Sequence, residues 1–86
     1  MTDDITRLRA RLDALDGELV TALNERARLS LAVRALKQDA ALPLYDPARE
    51  SRILERVGEL NAGPLYDEQV QEVFRAILKV MKEARA

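Results

Sequence analysis

The sequence predicts an all-α fold, with three helices per chain (long, short and medium) and two chains intertwined as a homodimer. Three observations lead there. Apolar residues recur on alternating three- and four-residue steps, Pro and Gly interrupt the chain at few places, and the first uninterrupted stretch is too long for a domain of 86 residues.

Between Asp4 and about Ala40 the only punctuating residue is Gly17. Ile5, Leu8, Leu12, Leu15, Leu19, Ala22, Arg26, Leu29, Val33 and Leu36 form an a/d seam held for about five heptads. A helix of about 35 residues is about 50 Å long. A globule of this chain length, with a radius of gyration of about 12 Å, is only about 25 Å across. The first helix therefore overruns its own subunit, and a second chain is expected along its seam. Chain length agrees, because a domain this small buries only about 60–65% of its unfolded surface. Such domains usually need a staple, a metal or a partner subunit. Cys and His are both absent, which excludes disulfides, thiolate metal sites and the commonest general base.

A short linker, Ala41 to Tyr45, follows. Asp46-Pro47 then supplies an N-cap and a first-turn Pro. The second helix sets Ile53, Leu54, Val57 and Leu60 on one face and stops around Asn61-Ala62-Gly63-Pro64. Asp67 is the next N-cap candidate. The third helix turns Val70, Val73, Phe74, Ile77, Leu78 and Met81 inward and runs close to the C-terminus. With no internal repeat and no flexible linker, residues 1–86 read as a single helical domain.

Charged residues make up 34% of the chain, but 14 basic against 15 acidic leaves a net charge of -1. Nucleic-acid binders need clustered, uncompensated cations, so that class is disfavoured. Trp is absent and Phe74, Tyr45 and Tyr66 are the only aromatics, which gives no base-stacking platform. Met1-Thr2-Asp3-Asp4 is acidic and lacks the apolar run of a signal peptide. No stretch approaches the about 20 apolar residues of a membrane span. A cytoplasmic address is expected.

Four basic residues break the pattern. Arg26 occupies an a position of the seam. It is either a polar register-setter that snorkels to water or a cation aimed at an anion in a buried polar pocket. Lys37 lies eleven residues on, about three full turns and about 16 Å along the same face; alone, it also suits a helix C-terminus. Arg9 precedes Arg26 by seventeen residues, about 25 Å along the axis. No small ligand reaches both on one straight helix, so a shared site takes Arg9 from the other subunit. Arg49 opposes the dipole of the second helix, and either pairs with Glu50 or a nearby acid or serves a ligand.

Leu8-Arg9 with Ala14-Leu15-Asp16, then Glu25-Arg26, then Lys37, then Tyr45-Asp46-Pro47-Ala48-Arg49-Glu50 follow in this order and spacing. The set resembles the all-helical AroQ class of chorismate mutases over nearly the whole chain. Gly63-Pro64-Leu65, with Val73-Phe74-Arg75-Ala76-Ile77 after it, resembles the version fused to the N-terminus of some DAHP synthases. The resemblance implies intertwined three-helix subunits and two equivalent sites for a small dianionic substrate, chorismate. Arg9 of the partner chain and Arg26 would bind carboxylates, with Lys37 near a carboxylate and the ether oxygen. Arg49 would complete the basic lining. Asp46 and Glu50 would lie by the ring hydroxyl, Glu50 accepting its hydrogen bond. A fused or associated DAHP synthase is the further partner implied.

Chorismate-to-prephenate conversion is an intramolecular Claisen rearrangement. It needs no nucleophile, metal, cofactor or obligatory proton transfer, so a chain without His and Cys can perform it. The protein has to hold a compact conformer and stabilise negative charge growing on the ether oxygen. Arg forks match carboxylates bidentately. The family pattern departs at the end of the third helix. Met81 stands where a small or polar residue is usual, and Arg85 where Gln or Glu helps bind the ether oxygen. Glu83 is nine residues past Phe74, about 180° round the helix, and is no easy substitute. Two other functions fit the same scaffold: an isochorismate-pyruvate lyase, and a regulatory or dimerisation domain without turnover.

Overall fold

The computed structural model describes residues 2–85. Three helices follow in order: α1 (Thr2–Asp39), α2 (Pro47–Leu60) and α3 (Asp67–Glu83). All three expected elements are present, in the long, short and medium order. Met1 and Ala86, the ends of the expected single domain, lie outside the described residues. The chain divides into two compact units, Met1–Ser30 and Leu31–Ala86.

The first unit is the N-terminal part of α1 by itself. Asp3 and Asp4 in its first turn complement the positive end of the helix dipole, and Asp4 pairs with Arg7. Its apolar side chains have no second element of this unit to pack on. Ile5, Leu8, Leu12, Leu15, Leu19, Val20 and Leu29 are therefore 50% to 63% exposed.

The second unit is built around α2 packed on α3. Val57 and Gly58 of α2 and Met81 of α3 are its buried residues, with Ile53, Leu54, Val70, Phe74, Ile77 and Leu78 half-buried around them. A Cβ on Gly58 would stand 2.9 Å from Gln71 Nε2. Its absence leaves room for that amide to donate to the Leu54 carbonyl across the helix pair, at 3.1 Å. Leu60, expected on one face with Ile53, Leu54 and Val57, is 66% exposed, and Val73, expected inward, is 55% exposed. Leu60 is the last residue of α2. Val73 lies about 100° from Phe74, whereas Val70, Ile77, Leu78 and Met81 fall within about 60° of it and make the stripe that one neighbouring helix can cover.

Local chemistry ends and starts each helix. After Asp39 the chain closes a Schellman motif, in which Ala41 N–H donates to Gln38 O at 3.1 Å and Leu42 N–H to Lys37 O at 2.8 Å. Ala41 takes the left-handed conformation this requires, with φ 55. Asn61 organises the next loop. Its amide donates to Leu65 O and Asp67 Oδ1, and its oxygen accepts from Gly63 N–H. Gly63, at φ 78, occupies a conformation that favours glycine. The N-cap of α3 is Tyr66, not Asp67: the Asp67 carboxylate is taken by Asn61, and the Tyr66 N–H is satisfied at 2.9 Å by Gln69 Oε1.

Ala41 is a Cβ-bearing residue in a position that favours glycine. Ala41→Gly should raise unfolding free energy by about 0.5–1 kcal/mol, after the greater freedom of glycine in the unfolded chain is set against relieved strain. Urea denaturation measures this; a loss of stability would contradict the account of the α1 terminus.

Candidate active site

The residues singled out from the sequence distribute over both units. In the first, Arg9 is exposed and Arg26 is half-buried. The Arg26 guanidinium makes a long 3.5 Å contact with Ser30 Oγ. It forms no ion pair among the described residues. Arg9 and Arg26 are on one straight helical stretch, seventeen residues and about 25 Å apart, which keeps them from sharing a small ligand within one chain.

In the second unit the start of α2 is built around Asp46. Its Oδ1 accepts the Arg49 N–H at 3.0 Å, and its carbonyl accepts the Glu50 N–H at 3.1 Å. Pro47 at the first helical position completes the start signal. Asp46 is thus a structural cap as well as a candidate ligand. Arg49 is exposed and pairs with no acid among the described residues, so of its two alternatives the pairing with Glu50 or a nearby acid is not made. Glu50 turns to α3 instead, where its Oε1 lies 2.8 Å from Lys82 Nζ. Lys82 also sits over the Tyr45 ring, 4.8 Å from its centroid. Lys37, in the last turn of α1, is half-buried and likewise without an ion pair among the described residues.

The last turn of α3 is held by Arg34. Its guanidinium donates to Met81 O at 2.7 Å, Ala84 O at 2.9 Å and Lys82 O at 3.3 Å, satisfying carbonyls that a helix end leaves open. The helix stops at Glu83. Arg85 therefore lies beyond it and folds back on the carbonyls of Glu83 and Ala84, off the helical face that periodicity assigned to it. Met81 is only 6% exposed and packs as core.

Residues 8–85 match the family described as chorismate mutase type II. The chain belongs to that family. It is 41% identical over 70 residues to a bifunctional chorismate mutase/prephenate dehydratase of Neisseria gonorrhoeae, covering 81% of this chain and 19% of that protein. A chorismate mutase of Methanocaldococcus jannaschii is 25% identical over 80 residues, covering 92% of this chain and 81% of its own. A solved chorismate mutase structure from Thermus thermophilus aligns with TM-score 0.90 and 34% identity, over 92% of this chain and 90% of that one. The chain spans about a fifth of the bifunctional relatives, 19% to 22% of their length.

The chorismate mutase fold thus brings Asp46, Arg49 and Glu50 into one helical turn and sets Glu50 against α3. Sequence reading misses Lys82 and Arg34. Lys82 is one of several cations along α3, with Arg75 and Lys79, and Arg34 is one of several in α1. Only the tertiary contact distinguishes them; the sole local signal, that a cation suits the last turn of a helix, applies to Lys82 and not to Arg34.

The Lys82 pKa is raised above its ordinary 10.5, first by the hydrogen bond to Glu50 and then by the charges of Glu50 and Tyr45, with desolvation opposing. For a lysine raised on folding, the stabilisation is complete below the unfolded value. It is lost as pH rises through the higher folded one. Side-chain NMR should find Lys82 titrating above 10.5, and Glu50→Gln should remove the rise. Titration at or below the ordinary value would show that the pair does not form in solution.

Proposed function

We propose that the chain catalyses rearrangement of chorismate to prephenate, in a cytoplasmic homodimer whose two sites each draw on both chains. The observation that carries the proposal is electrostatic. Arg9, Arg26, Lys37 and Arg49 occupy the positions that the family resemblance assigns to a dianionic ligand, and none has an acidic partner among the described residues. A half-buried cation without a counter-charge is costly, and a bound dianion supplies what Arg26 and Lys37 lack.

In this reading Arg26 and the partner-supplied Arg9 fix the substrate carboxylates, and Arg49 adds to the basic lining. Lys37 stabilises charge growing on the ether oxygen. Asp46 orders the turn that presents Glu50 to the ring hydroxyl. With Met81 packed as core and Arg85 turned to backbone, the ether oxygen relies chiefly on Lys37.

The dimer is supported by the exposed seam of α1. Leu8, Leu12, Leu15, Leu19, Leu29, Val33 and Leu36 are all more than half exposed in the single chain. Along the same stretch Ala14, Gly17, Thr21 and Ala22, flanked by Glu18 and Glu25, line a shallow open groove. The family match running across both units, from 8 to 85, supports reading them as one domain. Gly63-Pro64-Leu65 and the Val73–Ile77 segment motivate association with a DAHP synthase, while the bifunctional relatives motivate a prephenate dehydratase. Both are partners in aromatic amino-acid biosynthesis.

Incubated with chorismate, the protein should form prephenate. Release of pyruvate from isochorismate instead would mark a lyase, and binding without turnover a regulatory domain. Arg26→Ala should abolish activity while leaving stability intact or raised, since an anion-binding cation costs folding energy in the empty site. Unfolding of that variant would make Arg26 structural.

The shared site has its own test. Arg9→Ala and Lys37→Ala homodimers should each be nearly inactive, Lys37 losing about 10²–10³ in rate. Refolded together, about half the dimers would be mixed, each with one intact pocket, returning about one quarter of wild-type activity. No recovery, with mixed dimers confirmed by mass spectrometry, would place both residues in one chain.

A further inference from the structure

Lys82 has no part in the site expected from the sequence, yet it is the residue that Glu50 meets. Three independent contacts fix it. Its ammonium is 2.8 Å from Glu50 Oε1 and 4.8 Å from the centroid of the Tyr45 ring. Its backbone belongs to the turn whose carbonyls Arg34 holds from α1. The Glu50 side chain is the more enclosed partner, 26% exposed against 52% for Lys82. A long flexible lysine is usually a poor anchor, because ordering it costs side-chain entropy. Here the stem rises from a clamped turn and the head is confined between a carboxylate and an aromatic face, which reduces what remains to be ordered.

We infer that Lys82 is a positioning residue for Glu50, holding its Oε1 so that Oε2 accepts the hydrogen bond from the substrate's ring hydroxyl. This deepens the mutase reading and rests on it. A carboxylate free to rotate would offer that hydroxyl many geometries, most of them unproductive. One oxygen tied to an ammonium leaves the other at a set direction. Arg34 contributes at one remove, by fixing the turn from which Lys82 reaches.

The role predicts a loss that depends on the substrate's hydroxyl. Lys82→Met should raise KM for chorismate about five- to tenfold with kcat changed less than about twofold, as expected for weakening one charged hydrogen bond formed in ground and transition states alike. For an analogue whose ring hydroxyl is replaced by hydrogen, wild type and Lys82→Met should have the same KM. Lys82→Arg, which keeps the charge and reach, should restore KM for chorismate to within about twofold of wild type. Equal loss on both substrates, no loss on either, or failure of Lys82→Arg to rescue would overturn the positioning role while leaving the mutase reading standing. Should Lys82→Met fail to fold, a Lys82→Arg enzyme with wild-type stability but a raised KM would overturn it as well. Absence of turnover by the wild-type protein would overturn the mutase reading first, and this role with it.

Discussion

The structure depends on an apolar seam that its own chain leaves in water. Along α1, large aliphatic side chains recur at every third or fourth position and remain mostly exposed, from Ile5 at 50% to Leu36 at 69%. Each aliphatic side chain withdrawn from water is worth about 1.5–3 kcal/mol. A seam of this length left bare forgoes a gain comparable with the whole stability of a small domain, about 5–15 kcal/mol. Among the described residues, only Val57 and Met81 are buried apolar side chains in the single chain. The proposed second copy supplies the cover, and the proposed function follows from it, because Arg9 acquires a site only through a partner.

The second unit shows how a short chain makes a rigid turn without a large core. Asp46 caps α2, Arg34 caps α3, and the Lys82–Glu50 pair joins the two helices where those caps lie. Each contact satisfies a group that would otherwise stay open at a helix end or carry an uncompensated charge. Exposed pairs are individually worth little. Their contribution here is direction more than stability: they determine where the Glu50 carboxylate stands and leave Arg49 and Lys37 without acidic partners among the described residues. The proposed anion site draws on these unpaired cations, although the whole chain has a net charge of only -1.

The fold is legible because the local signals that mark its three helices agree with it. Seam periodicity marks α1, Asp46-Pro47 marks the start of α2, and Asn61 to Pro64 mark its end. Failures come where a side chain's partner is remote in sequence. Asp67 has the chemistry of a cap, but Asn61 claims its carboxylate, so Tyr66 takes the position with help from Gln69. Periodicity carries Arg85 along a helix that in fact ends at Glu83. Arg49 has Glu50 as its neighbour, and Lys82 takes that acid from thirty-two residues away in sequence. Periodicity reports which face a residue is on; it does not report what the facing element brings.

Sedimentation equilibrium across micromolar concentrations tests the covered seam most directly. The account predicts a helical protein with about twice the chain mass of 9.7 kDa, losing helix and dimer together on dilution or denaturation. A compact, fully helical species at the mass of one chain would contradict it, since α1 would then be stable with its seam exposed.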